Sequence, residues 1–205
     1  MARKSNIRQT RDKFIILTNG EQSETNYFNL LKSRKSIYDI EVKFVNADPI
    51  GLVDNAEKLL PSANQIWCVF DIDYTYKDKR LLPALNKAKK IGVKIAYSNM
   101  AFEVWLISHF QQCEKHLETK DHAEILTKLL KQEGYAFEYK KSDDAVLKKI
   151  FIPKYKEATT NAKIVFQKKV KQFRETHGEN ADFSIWEWNS STNIFKLIEA
   201  LQLSH

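Results

Sequence analysis

The stretch FIILTNGEQSETNYF, Phe14–Phe28, passes from an apolar run to a glycine turn and then to a helix-like pattern. FIILT has no polar break before Thr18, as expected of a strand covered by helices on both sheet faces. Asn19 and Gly20 end the run. Glu21, Ser23 and Glu24 lead into the helical pattern, with Ser23 as a hydroxyl N-cap and Glu24 as a first-turn acid favoured by the helix dipole. Strand, tight turn and helix in this order form the first unit of an α/β fold, and the rhythm repeats downstream. Strands are expected over 14–18, 40–45, 65–70 and 93–98, and helices over 23–34, 50–60 and 78–90. The fold class is therefore α/β: a Rossmann-like, mostly parallel sheet flanked by helices, with right-handed crossovers.

After Ser98 helical patterns dominate. FEVWLISHF places Phe102, Trp105, Leu106, His109 and Phe110 on one apolar helical stripe. Further helices are expected over 119–133, 143–150, 158–176 and 192–202, with Gly134 and Gly178 as stops and Thr192 as the cap of the last. WEWNSS before it reads as a turn. The expected organisation is a basic arm (1–12), an α/β core (13–110) and a helical extension (111–205) packed on the core as one structural unit.

Composition narrows the class. Hydrophobic residues make up 43% of the 205 positions, with only five glycines and four prolines, which excludes a disordered or low-complexity chain. Cys68 and Cys113 form no C-x-x-C pair, so reduced thiols in a cytoplasmic protein are expected. No run approaches the roughly 18 apolar residues that span a bilayer, and the start of the chain lacks the apolar core of a signal peptide. Thirty-three Lys and Arg against 26 Asp and Glu give a net charge of +7, which suits a phosphate polyanion as partner. Arg3, Lys4, Arg8 and Arg11 crowd the start and are the candidate nucleic-acid contacts, a solvated tail being the plainer reading.

Ligands of open parallel sheets collect beyond the carboxyl ends of the strands. The first strand is followed there by Asn19, Gly20, Glu21 and Glu24, the third by Asp71 and Asp73, and the fourth by Ser98, Asn99 and then Glu103. In WCVFDIDY an extended backbone turns both aspartates to the same side, their Cα atoms roughly 6.6 Å apart. Such a pair can hold Mg²⁺ (or Mn²⁺), with substrate phosphate completing the shell, although Asp71 can equally cap a turn and Asp73 be solvated. Asp71, Asp73 and Glu24 are the candidate metal ligands, Glu21 joins them as a catalytic candidate, and Asn19 and Glu103 are secondary candidates. Glu103 reads first as an ordinary first-turn acid and His109 as a core histidine. No zinc spacing, P-loop, dinucleotide fingerprint or nucleophile elbow is present in the sequence.

The order NGEQSETNYF, WCVFDIDY, SNMAFEVWLISHF and WNSSTNIFKLIEAL resembles the RloB-like proteins of prokaryotes. Their segments read approximately EGExTExxYF, a hydrophobic strand with D-x-D, SNPxFExWLLxHF, and NPSTNV before a helix. The resemblance covers nearly the whole chain. It implies a divergent Toprim-like nuclease fold, with Asp71 and Asp73 as the D-x-D and Glu24 as the second acid of EGExTE around Mg²⁺. It further implies an effector of antiviral defence or abortive infection that works with an AAA- or ABC-type ATPase, which accounts for the missing P-loop. Asn19 stands where the family motif has its first acid, and an amide cannot take a proton at neutral pH. Either Glu21 or Glu24 supplies the missing charge, or the site is weakened. The alternative is a non-catalytic subunit that binds nucleic acid or docks on the ATPase, and a protein-interaction adaptor is a third reading. A homo-oligomer is left open.

Overall fold

The computed structural model of the chain describes residues 11–72, 80–141, 143–181 and 188–203. Lys13–Thr18 (β1), Asp39–Phe44 (β2), Gln65–Asp71 (β3) and Lys94–Asn99 (β4) form a parallel sheet, and Ser191–Thr192 (β5) adds a short antiparallel edge. The strand order is β2-β1-β3-β4-β5. The chain moves outward from β1 to β2, then returns to place β3 on the other side of β1. The direction of winding thus reverses between β1 and β3, and a crevice opens there at their carboxyl ends.

Side-chain alternation along the strands divides the core in two. Phe14, Ile16, Trp67 and Val69 face Ser23–Leu31 (α1), Glu103–Ile107 (α4), Thr119–Gln132 (α5), Tyr155–His177 (α7) and Ile194–Ala200 (α8). Ile15, Leu17, Ile66, Cys68 and Phe70 face Pro49–Leu59 (α2) and Leu81–Ile91 (α3). Because β1 and β3 are central, both their faces are buried, which is why their sequences read as unbroken apolar runs. Each such side chain contributes roughly 1.5–3 kcal/mol of burial free energy.

Local chemistry sets the ends of the elements. Pro49 opens α2 behind Asp48, whose carboxylate accepts from the Gly51 N–H at 2.9 Å. The expected stops hold: Gly134 follows α5 with φ 88° and Gly178 follows α7 with φ 100°, a backbone that side chains resist.

Other expectations change. Ser23 is not a cap. Gln22 holds that place without a side-chain bond, and Ser23 is buried in the first turn beside the Tyr139 hydroxyl. α1 ends at Leu31 rather than 34. FEVWLISHF is helical only over Glu103–Ile107, because His109 and Phe110 donate to carbonyls three residues back and tighten the last turn. The segment expected as a helix over 143–150 is a single α turn, Asp144–Val146 (α6), widened into a π turn at Leu147–Phe151 and then tightened at Ile152–Lys154 before α7. Thr192 lies in β5, where its hydroxyl donates to the Tyr97 carbonyl at 2.7 Å. Asn193 then locks this segment to β4, accepting from Tyr97 N–H at 2.6 Å and donating to the Ile95 carbonyl at 3.1 Å. The strand was hidden in sequence because two residues carry no periodicity.

Candidate active site

The loop after β1 is held by hydroxyls. Thr25 donates to the Gly20 carbonyl at 2.6 Å and meets the Thr18 hydroxyl at 2.6 Å, so the turn folds back on the first turn of α1. That folding delivers Glu24 into the crevice. Its carboxylate lies over Gly20, where a side chain would collide with it, and the residue is buried. β3 ends at Asp71, which is half-buried and accepts from the Phe102 N–H. Glu103 arrives from the start of α4, after β4, and is only 2% exposed.

Three of the acids expected at this rim, Glu24, Asp71 and Glu103, therefore lie near enough to act on one another electrostatically. Burial, aided by Glu103, raises the Glu24 carboxyl above the ordinary carboxylate range, with its own backbone N–H and Lys141 opposing. Burial, then Glu24 and Glu103, hold Asp71 well above its usual value. Like charges gathered in a poorly solvated crevice favour the protonated forms.

Glu103 is not the ordinary first-turn acid expected from sequence. Its Oε1 receives the Lys141 ammonium at 2.9 Å and the Tyr139 hydroxyl at 3.5 Å, while its Oε2 is buried with no hydrogen-bond partner. Burial pulls Lys141 down, but Glu103, Asp71 and Glu24 outweigh it and raise its pKa. Behind Glu103, His122 on α5 is buried with both ring nitrogens unpartnered, and burial lowers its pKa against the pull of Glu103. Lys141, Tyr139 and His122 carry no motif. Tyr139 and Glu103 are 36 positions apart, so no local pattern announces their meeting.

A pocket of about 280 Å³ opens over these groups, lined by Gly20, Glu21, Ser23, Glu24, Phe102, Glu103 and Lys141 among others. Glu21 is exposed on its lip. Asn19 is half-buried at the end of β1 and its N–H donates to the Val69 carbonyl at 3.3 Å. Asp73 lies outside the described residues, as do Arg3, Lys4 and Arg8. Arg11 is exposed just before β1, so it stands at the opposite end of that strand from the pocket, roughly 20 Å away.

The donor set suits a hard cation in kind, being carboxylate oxygens with one buried oxygen, Glu103 Oε2, left without a partner. Among the described residues no three His, Cys, Asp or Glu side chains are drawn together as a ready-made metal cage. Mg²⁺ commonly keeps several waters and takes only one or two protein carboxylates, so a site for it does not require such a cage.

His109 is a core residue. Its Nδ1–H donates to the Trp105 carbonyl at 3.0 Å, which leaves Nε2 to accept from the Tyr27 hydroxyl at 3.0 Å, and burial pushes its pKa down to about 3. Both cysteines are free and buried. No described helix is long and apolar enough to cross a membrane.

Neither a curated protein nor a solved structure matches the chain. The sequence profile of the RloB-like protein family matches residues 14–201, nearly the whole length, and the chain belongs to that family.

Proposed function

We propose that this RloB-like protein is a Mg²⁺-dependent, Toprim-like nuclease that cleaves phosphodiester bonds of DNA or RNA as the effector of a prokaryotic antiviral defence system, beside a partner ATPase. The observation that carries the reading is the convergence of Glu24 and Asp71, both raised in pKa, at the crevice between β1 and β3 of a protein with net charge +7. Carboxylates that repel one another in a poorly solvated crevice gain stability when a divalent cation joins them. Asp71 and Glu24 would hold the cation, with Asp73 completing the set. When bound, Mg²⁺ polarises the phosphoryl group and makes a bound water more acidic. Glu21, at the lip, would orient water or substrate. The crevice shields the reacting group from bulk solvent on the sheet side, and basic residues elsewhere hold the nucleic-acid backbone. The ATPase and the defence setting rest on family resemblance and on the absence of a P-loop in the sequence.

The test is cleavage of plasmid, single-stranded DNA and tRNA by the protein with and without its neighbouring ATPase, comparing wild type, Glu24→Gln and Asp71→Asn/Asp73→Asn. Metal-dependent cleavage that falls at least 10²-fold in the variants is expected. Identical cleavage by all three proteins rejects the site.

Asn19 favours a second reading, in which the chain is a non-catalytic subunit that binds nucleic acid or docks on the ATPase. That reading expects no Mg²⁺-dependent cleavage under any condition, with partner binding retained in the aspartate variants.

A further inference from the structure

β2 is an outermost strand of the sheet, with β1 on its inner side. The Asp39 N–H donates to the carbonyl of Asp12, just before β1, and the Val45 N–H to that of Thr18, each at 2.9 Å. Backbone groups alternate in direction along a strand, so Ile40, Val42 and Phe44 turn their N–H and C=O groups away from β1. Among the described residues nothing bonds to these outward groups. The register with β1 is unbroken over all six positions of β2, with neither a bulge nor a proline to blunt the edge. Phe44 adds an aromatic side chain that is 38% exposed.

The strand that matches this edge is β2 itself. Across a twofold axis, ladder bonds form only where an outward residue meets an outward residue, which places the axis on a residue rather than between two. An axis on Glu41 sets glutamate against glutamate, one on Lys43 sets lysine against lysine, and one on Ile40 sets Asp39 against Glu41. Like charges directly opposite are destabilising. An axis on Phe44 carries most of the pairing beyond the strand. An axis on Val42 opposes Val42 to itself, Ile40 to Phe44 and Glu41 to Lys43. Ile40 and Val42 already pack on the core layer that α1 covers, so the opposed apolar side chains continue that layer. The charges meet on the other face. Within one chain Glu41 holds Lys43 at 2.9 Å and Lys13 at 2.7 Å, and Lys43 of a second copy would join this group. Charged residues commonly guard an edge against a second strand, and that is the competing role. A register that sets each charge against its opposite removes the guard.

We propose that two copies of this chain pair through antiparallel β2 strands about a twofold axis at Val42, joining their five-stranded sheets into one continuous sheet. The axis stands perpendicular to the sheet, so the carboxyl ends of the two β1 strands lie at opposite rims. The dimer therefore carries its two Glu24 pockets facing apart, rather than one shared site. The proposal does not depend on the nuclease reading.

Sedimentation velocity of the full chain over a concentration series supplies the test, with circular dichroism and thermal melting confirming that each variant folds. A dimer is expected for wild type. Val42→Lys sets lysine against lysine on the axis and is expected to be monomeric over the same series. Lys43→Glu sets glutamate against Glu41 twice in each dimer and weakens association about tenfold, while Glu41→Lys/Lys43→Glu restores it to within about threefold of wild type. Oxidation of cysteine variants reads the register. Opposed Val42 Cα atoms lie about 5.5 Å apart, within the roughly 4.4–6.8 Å that a disulfide spans, whereas the two Ile40 Cα atoms lie about 14 Å apart. Val42→Cys should cross-link and Ile40→Cys should not, with the native Cys68 and Cys113 buried. A wild type that stays monomeric overturns the proposal, as does a dimer that folded Val42→Lys and Lys43→Glu leave intact. A dimer that Val42→Cys does not cross-link, or a charge exchange that associates no better than Lys43→Glu, overturns the register and the proposal with it.

Discussion

Gly20→Ala moves one functional group without deleting any charge. A Cβ at Gly20 meets only the Glu24 carboxyl group among its three nearest neighbours, and even the farther oxygen, Oε1, would lie 2.5 Å away. Ordinary contact begins at 3.4 Å; Oε1 alone would have to retreat by 3.4 − 2.5 = 0.9 Å, and the nearer Oε2 by more. Gly20 is not among the glycines with positive φ, so alanine suits its backbone, and the loss of unfolded-state freedom contributes about 0.4–1 kcal/mol of stability. Any strain falls on the end of a flexible side chain. The expected result is a melting temperature close to that of wild type and a fall of about 10²-fold in Mg²⁺-dependent cleavage, the usual consequence of a misplacement of about 1 Å. Matched melting curves and single-turnover cleavage of the preferred nucleic acid make the measurement. Cleavage within about threefold of wild type, in a variant that melts normally, refutes a role for Glu24 from this position. A loss of several kcal/mol in stability would refute the view that only the Glu24 side chain has to move.

The same geometry sets three further outcomes. Asp71 is raised well above its usual pKa by burial, Glu24 and Glu103, so the folded chain holds a proton that the unfolded chain releases. Its contribution to stability is intact below about pH 3.9 and declines as pH rises through the folded value. Asp71→Asn should therefore gain on wild type in urea midpoint between pH 4 and pH 8, and a constant difference across that range contradicts this linkage. His109 has the opposite sign: its pKa is pushed down to about 3, so its contribution is present above about pH 6.5 and is lost as pH falls toward 3. His109→Phe strands the Tyr27 hydroxyl and should cost about 1–3 kcal/mol at pH 7.5, a deficit that narrows by pH 4 in equilibrium unfolding. Asn193→Ala removes both side-chain bonds to β4 and should lower unfolding free energy by about 2–4 kcal/mol, read by urea denaturation at pH 7.5.

The α/β class was legible because its evidence is local. FIILT and QIWCVF lie in the two strands buried on both faces, and that burial is written into each as an unbroken apolar run. Glu24 and Asp71 could be named because both come directly after or at strand ends, where the topology brings loops together. The nature of Glu103 was not legible. Its first-turn position looks ordinary, and only the arrival of Tyr139, Lys141 and α5 turns it into a buried, half-satisfied carboxylate. β5 failed for a similar reason, since Thr192 has the chemistry of a cap and its pairing with Ser98 is a long-range event. The π turn at Leu147–Phe151 escaped because burial of Leu147, Ile150 and Phe151 mimics helical spacing.

The closing of the sheet by β5 also has a consequence in time. Ser98 and Thr192 are 94 positions apart, so at about 5–20 residues per second a ribosome delivers the closing strand roughly 5–20 s after the strand that it closes. Throughout that interval the outer backbone of β4 is an open edge, free to pair with another chain. β4, whose end leads to Glu103, meanwhile lacks its bonds to Asn193. A nascent chain thus makes its acids early but fixes their frame late, and stalled translation before residue 191 would leave a molecule with the site residues and an unfinished wall.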